Sequence, residues 1–279
     1  MPATGAHALE WTSGDTRVVL DLVPIEVLGA LMRLRTRVLA SVDALPIDAA
    51  EHPTRCAEWT VVDVVNHVAD TTGWATEVTD AAARGRDTAI FDGFHVRDTP
   101  KRLTDAAVHD LDAARARLHA EMRRSLAQVA EVVAVANGMA ATPLGPQPFP
   151  VAALHVLWDT WLHERDMLLP LGRAVPQHED EVRLCALYTL RLVGLCAAMG
   201  RREVSATIAL QGATEVTLRL DASPSLTSVR VSNEAAQLHG DAARVIDALC
   251  GRDDVDAALD GPAELRAALS PLRALLAGR

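Results

Sequence analysis

The chain has 279 residues, of which 49% are hydrophobic, and its formal net charge is −10. This length accommodates one large or two ordinary globular domains, and the acidic balance argues against a nucleic-acid-binding protein, which needs a basic surface. The N-terminus lacks the charged and apolar segments of a signal peptide, and no run of about 18 uncharged apolar residues predicts a membrane span.

The cysteine and lysine content indicates the cellular setting. The chain has four cysteines, Cys56, Cys185, Cys196 and Cys250, and none of them forms a CxxC pair. This scattered arrangement is expected for reduced and mostly buried thiols. Lys101 is the only lysine, which is typical of GC-rich genomes such as those of actinobacteria. We therefore expect a cytoplasmic protein.

The first part of the chain predicts a leader followed by two long helices. Residues 1–16 are interpreted as the leader. Apolar residues recur at helical spacing over residues 16–42, where Pro24 marks either the first turn or a kink. A second helix is predicted from Thr60 to about residue 85, because Thr60 is a favourable N-cap and Asp63 follows three residues later, as in a capping box.

A loop and a third long helix come next. Residues 86–102 are predicted to form a loop that covers a pocket, and residues 104–137 a charged amphipathic helix. The candidate pocket residues are three side chains of this loop and one tryptophan of the preceding helix: Phe91, Phe94, His95 and Trp74.

The fourth long helix, residues 151–172, carries the candidate site. His155, Asp159, His163 and Asp166 fall within an arc of roughly 80° on one helical face. Imidazole and carboxylate groups four residues apart suit a divalent metal such as zinc or iron. One helix face supplies two such ligands comfortably, so we expect a third from another helix.

The remaining sequence predicts a change of architecture after a helix at residues 178–200. Apolar and polar residues then alternate in three segments, which indicates strands, before two more helices: strands at 205–212, 214–221 and 226–233, and helices at 241–249 and 262–276. The expected fold class is α+β and multidomain. An up-down four-helix bundle with an extra connecting helix spans residues 17–200, and a small α+β domain spans residues 201–279.

Two motifs and the tail resemble a known family. The segment CAEWTVVDVVNHVAD, residues 56–70, resembles the Cys-x-x-Trp-Thr-x-x-Asp-x-x-x-His motif of the DinB-like bundles related to mycothiol-dependent maleylpyruvate isomerase. The segment WDTWLHERDMLLPLG, residues 158–172, is similar to that family's second motif: an acid, three residues, His, two residues and Asp. The segment LHGDAARVIDALCGR, residues 238–252, resembles the sterol-carrier-like domain that these proteins often append.

The resemblance implies a divalent metal, usually zinc, held by three side chains. Carried over by position, the ligands are His67, Asp159 and His163. Asp159 stands where the family has Glu, so this shorter acid either ligates from a closer backbone or acts from outside the coordination sphere. His155, one turn away, is the alternative third ligand.

Two further residues lie next to these motifs. Asp166 is interpreted as an acceptor that orients His163 without touching the metal. Cys56 stands just before a helix, and is interpreted as a packed small hydrophobe and not as a ligand.

The function implied by the resemblance is that of a metal-dependent isomerase or S-transferase. Three protein ligands leave one coordination position open to water or a thiolate, and the family's thiol cofactor is mycothiol. The substrate would be a small electrophile, with no nucleic-acid or membrane partner. No Ser-His-Asp order, Walker loop or dinucleotide-binding glycine pattern competes with this hypothesis. Two alternatives stay open: a thiol-independent metalloenzyme of the same fold, and a non-catalytic, metal-stabilised protein that binds a small ligand.

Overall fold

The computed structural model describes residues 8–86, 98–107, 109–128 and 138–276. The chain divides into two compact units: Met1–Glu26 together with Pro176–Arg279, and Val27–Val175. The second unit is a helical bundle, whereas the first is built around a mixed β-sheet. The predicted fold class, a helical part followed by a sheet-containing α+β part, is confirmed.

The elements are numbered in chain order over the described residues. The strands are β1 (Ala8–Ser13), β2 (Thr16–Asp21), β3 (Met139–Ala140), β4 (Gln147–Pro148), β5 (Val204–Gln211), β6 (Val216–Ser223), β7 (Leu226–Val231) and β8 (Leu238–Asp241). The helices are α1 (Pro24–Asp43), α2 (Val61–Ala83), α3 (Asp98–Asp105), α4 (Leu111–Ala127), α5 (Phe149–Leu168), α6 (Glu179–Met199), α7 (Ala242–Leu249), α8 (Val255–Ala258), α9 (Ala263–Leu269) and α10 (Pro271–Leu276).

The bundle helices form where apolar residues recur at helical spacing, and those residues are buried. On α4, for example, the buried positions follow the pattern i, i+3, i+7 and i+11: Leu111, Ala114, Leu118 and Met122. Pro24 is the first residue of α1, where its missing N–H costs no intrahelical hydrogen bond. Helix α4 therefore buries one apolar stripe, whereas α2 and α5 are buried on most of their surface. Buried polar side chains on α2 and α5 are the candidates for function.

The helices α2 and α4 run in the same direction. Asp63 near the start of α2 lies 3.2 Å from His109 just before α4 (Oδ1 to Nδ1), and further along both helices Asp70 pairs with Arg117. Because the residue numbers of both partners increase together, the two helices are parallel.

The first residues of the chain differ from the predicted leader and helix. Residues 1–7 of the predicted leader lie outside the described residues. From residue 8, in place of a loose leader, β1 pairs antiparallel with β2 through a two-residue turn, where Gly14 has a φ of +58°. The helix predicted to start at Thr16 begins only at Pro24. The run Val18-Val19-Leu20 is buried within the sheet, and a short apolar run of this kind fits a buried strand as well as a helix.

The sheet contains six strands among the described residues, in the order β1-β2-β7-β6-β5-β8. The central pairs β5–β6 and β6–β7 are antiparallel, whereas β2–β7 and β5–β8 are parallel. The three strands predicted by period-two alternation are β5, β6 and β7. The two predicted tail helices appear as α7, and as α9 with α10.

The unit boundaries differ from the predicted division at residue 200. Helix α6 belongs to the sheet unit, because its residues pack on β6 and β7: a Cβ on Gly194 would lie only 2.6 Å from Thr227 Cγ2 and 3.1 Å from Leu220 Cδ1. Among the described residues α6 is the one helix long and apolar enough to cross a membrane, and 78% of its most apolar window is buried inside the protein. It is therefore the core helix of this unit.

Two other sequence predictions are revised by the described residues. Residues 98–102, predicted as the end of a loop, belong to the short helix α3, which begins with an acidic residue in its first turn. The long helix predicted over residues 104–137 starts at Leu111, after Asp110 caps it by accepting a hydrogen bond from Ala113 N–H at 2.8 Å.

Candidate metal centre

His67 is positioned by the start of helix α2. Thr60 donates from both its backbone N–H and its hydroxyl to Asp63 Oδ2, at 2.8 and 2.7 Å, which fixes the first turn. His67 follows on the second turn, and its side chain is only 8% exposed. The predicted cap at Thr60 therefore determines where this imidazole enters the bundle interior.

Helix α5 supplies the opposing side chains. Asp159, His163 and Asp166 are spaced by four and then three residues, so they lie along one helical face. Their side chains are 13%, 8% and 0% exposed. Buried polar groups in such a row are costly unless each has a partner, so their interactions define the site.

His67, Asp159 and His163 converge on one point. His67 Nε2 and His163 Nε2 each lie 3.5 Å from Asp159 Oδ1. The two imidazole rings meet edge to face, with centroids 4.7 Å apart. One donor atom from each of the three residues lies within 4.8 Å of the other two. The structure thus brings together the three ligands that the family resemblance implied.

The geometry and chemistry of these three residues fit a divalent metal. Donors about 2.1 Å from a tetrahedral ion lie about 3.4 Å from one another, close to the two nitrogen–oxygen separations seen here. Asp159 Oδ2 is buried and has no hydrogen-bond partner among the described residues. Two imidazoles and a carboxylate are a donor set found in catalytic zinc sites. A bound cation would satisfy the orphaned carboxylate oxygen.

Charges within the site shift the pKa values of two of its groups. Burial by itself would raise the pKa of Asp159, but the neighbouring imidazoles of His163 and His67 hold it well below its usual value. Burial would likewise lower the pKa of His163, yet Asp159 raises it well above its usual value. Asp159 is therefore an anion at neutral pH, as ligation of a cation requires.

A second group of side chains contacts the other nitrogen of His163. His163 Nδ1 lies 3.2 Å from Asp166 Oδ2 and 3.7 Å from Cys56 Sγ, and the Cys56 thiol donates to Asp166 Oδ2 at 3.0 Å. Arg55 donates to Asp166 Oδ1 from its side chain at 3.1 Å. Cys56 is partly exposed and lies in this polar network, so its sequence interpretation as a packed hydrophobe is wrong.

Sequence reasoning missed Arg55 and Cys56. The signal was the position of Cys56 in the first motif, three residues before Trp59 and eleven before His67, together with the adjacent cation. Residues 55–59, the strap that precedes α2, bring a third side chain to the site. It is Trp59, whose ring centroid lies 4.9 Å from that of His67 and 5.9 Å from that of His163. The tryptophan therefore forms an apolar wall against both imidazoles.

The other predicted site residues are placed as follows. His155 belongs to neither group of candidate ligands among the described residues, and its ring lies 5.9 Å from that of Trp158. Trp74 is half-buried on α2, two turns beyond His67. Three pocket candidates lie outside the described residues: Phe91, Phe94 and His95.

Comparisons with known proteins bear on the class of this bundle. Residues 31–168, which contain all the candidate ligands, match the family model of the mycothiol maleylpyruvate isomerase N-terminal domain. This match agrees with the family resemblance that the two motifs indicated. No curated protein sequence matches the chain.

Two solved structures share the fold over most of the chain. One is the mycothiol-dependent maleylpyruvate isomerase, with a TM-score of 0.62, 14% identity, and coverage of 84% of this chain and 91% of that one. The other is a histidine-to-alanine mutant of a protein described in the same words, with a TM-score of 0.63, 13% identity, and coverage of 86% and 92%. At this identity the likeness establishes the fold.

Proposed function

We propose that the protein is a metal-dependent enzyme that uses a low-molecular-weight thiol, mycothiol, to isomerise a small electrophilic substrate or to transfer sulfur to it. The observation that carries this proposal is the convergence of His67 Nε2 and His163 Nε2 on Asp159 Oδ1, with the second carboxylate oxygen buried and without a partner among the described residues. The match of residues 31–168 to the mycothiol maleylpyruvate isomerase N-terminal domain supports the choice of thiol.

The three residues would hold a divalent ion, zinc being the best match to two imidazoles and a carboxylate. Such an ion would supply a Lewis acid that lowers the pKa of a thiol at its fourth coordination position. The chain's own groups orient and shield the site. Asp166 accepts a hydrogen bond from His163 Nδ1, which leaves the lone pair of Nε2 to bind the metal. Trp59 excludes water from one side of both imidazoles.

The two proposed reactions differ in the fate of the carbon–sulfur bond. In isomerisation, the thiol adds to an activated double bond, rotation follows about the resulting single bond, and elimination returns the same thiol. In S-transfer, the carbon–sulfur bond stays. We place the protein in the cytoplasm, where reduced thiols persist, in agreement with the absence of any disulfide among its four cysteines.

The test is a turnover assay with zinc-loaded protein, mycothiol, and a panel of small unsaturated acids beginning with maleylpyruvate, the substrate in the name of the structural relatives. We expect thiol-dependent turnover that His163→Ala abolishes and His155→Ala retains. Turnover that is independent of thiol would instead favour a thiol-independent metalloenzyme. Saturable binding of small molecules without turnover or thiol binding would favour a non-catalytic protein.

A further inference from the structure

The carboxylate of Asp166 is surrounded by hydrogen-bond donors on both oxygens. Arg55 Nε and Nη2 each lie 3.1 Å from Oδ1, while Cys56 Sγ and His163 Nδ1 lie 3.0 and 3.2 Å from Oδ2. A carboxylate offers about four lone-pair sites, so these four donors saturate it. The side chain is fully buried, and its orientation is therefore fixed by its neighbours.

Three of the four donor atoms belong to two consecutive residues, Arg55 and Cys56, of the strap that precedes α2. The backbone of the same strap is also tied to α5, because Arg55 N–H donates to Asp166 O at 3.2 Å. The strap leads directly into the helix that carries His67, and Asp166 lies one turn beyond His163. Arg55 and Cys56 thus join the segments that carry the two imidazole ligands.

We propose that Cys56 is a positioning residue for the metal centre: its thiol, together with Arg55, holds Asp166 so that the carboxylate accepts from His163 Nδ1 and leaves His163 Nε2 directed at the metal. This inference rests on the proposed metal site and adds a residue to it. Partners of this kind, which hydrogen-bond a ligating histidine or its acceptor, typically change metal affinity about 10- to 100-fold when removed.

A rival arrangement uses the same atoms. Cys56, His163 and Asp166 also present donor atoms within 4.8 Å of one another, as a cation site would. However, the Arg55 guanidinium already neutralises Asp166, and a cation bound there would be repelled by it. The geometry therefore favours a hydrogen-bond network over a second metal.

The experiment measures zinc affinity by chelator competition in Cys56→Ala, Cys56→Ser and Arg55→Gln. The alanine variant should bind zinc about tenfold more weakly, the serine variant should recover most of that loss because its hydroxyl still donates, and Arg55→Gln should resemble the alanine variant. Cys196→Ala is the matched control, since Cys196 is a partly buried thiol of the sheet unit and belongs to neither ligand group. A second readout is the d–d spectrum of the cobalt-substituted protein. The positioning role predicts that this spectrum changes in Cys56→Ala and recovers in Cys56→Ser. A purely structural role for Cys56 would lower the stability of the protein and leave the spectrum unchanged.

If Cys56→Ala does not fold, methylthiolation of Cys56 in the folded Cys196→Ala protein removes the same S–H donor and should weaken zinc binding similarly. Zinc affinity and cobalt spectrum unchanged by loss of the donor would overturn the positioning role and leave the proposed function standing. A second equivalent of bound zinc that is lost when Cys56 is replaced would also overturn the positioning role, because it would establish the rival cation site. Wild-type protein that binds no zinc would overturn the positioning role and the metal-dependent function together.

Discussion

Asp159 and His163, one turn apart on helix α5, face the same point: Asp159 Oδ1 lies 3.5 Å from His163 Nε2. The same oxygen lies 3.5 Å from His67 Nε2 on another helix. The carboxylate lies between two imidazoles, and its second oxygen is buried and without a hydrogen bond among the described residues, so a bound cation would satisfy it.

The first prediction concerns the two histidine ligands. His67→Ala and His163→Ala should each lose most of the bound zinc, because two remaining ligands hold the ion too weakly. Metal content per chain, measured after gel filtration by atomic emission, checks this. His155→Ala is the control on the same helix face and should keep full stoichiometry. Full zinc content in both ligand variants would exclude the site.

The second prediction concerns the acid that replaces the family's glutamate. Asp159→Asn keeps the size of the side chain but removes its charge, so zinc should bind at least about tenfold more weakly. The measurement is chelator competition at fixed pH. If Asp159→Asn binds zinc as tightly as the wild type, the carboxylate acts from outside the coordination sphere, and His155 becomes the ligand to test.

The third prediction concerns the metal-free protein and pH. The ion pair with Asp159 raises the folded-state pKa of His163 above its ordinary 6.5, so its contribution to the free energy of unfolding is complete below that pH and disappears as pH rises through the raised pKa. Urea unfolding from pH 5 to 9 should therefore show a loss of stability above pH 6.5 that His163→Gln lacks. Parallel pH profiles for the two proteins would contradict the assignment. Zinc affinity should change in the opposite sense and increase with pH, since ligation requires the neutral imidazole.

The fourth prediction tests the packing of the sheet unit. An alanine at position 194 would place its Cβ 2.6 Å from Thr227 Cγ2, so Gly194→Ala should destabilise the protein by about 1–3 kcal/mol despite the better helix propensity of alanine. Thr227→Ser removes that methyl group, and the double variant should recover part of the loss in a denaturation series. A more stable Gly194→Ala protein would mean that α6 lies further from β7 than the structure has it.

The clustering of the candidate ligands was more predictable from the sequence than the strand pair at the start of the chain. Helical periodicity places Asp159 and His163, four residues apart, on one face of a helix. The first sequence motif singles out His67 on another helix. The strand pair at the N-terminus was missed, because a short apolar run such as residues 18–20 does not distinguish a buried strand from a helix, and its sheet partner β7 lies some 200 residues away.

Two other differences between the sequence predictions and the structure have a similar origin. The division near residue 200 marks a change of secondary structure, whereas α6 is assigned to its unit by contacts with strands that follow it. Cys56 was misjudged because a cysteine before a helix is usually packed among apolar groups. Its thiol partner, Asp166, is 110 residues distant, so only the folded chain brings the two together.

The proposed function requires that a metal bound at this site activates a low-molecular-weight thiol. The most direct test is titration of the cobalt-substituted protein with mycothiol. We predict a new sulfur-to-cobalt charge-transfer band that saturates at one thiol per site, accompanied by release of about one proton near neutral pH, because the ligating species is the thiolate. His163→Ala should abolish both signals. No spectral response to the thiol, in a cobalt protein that still carries exchangeable water, would contradict the account.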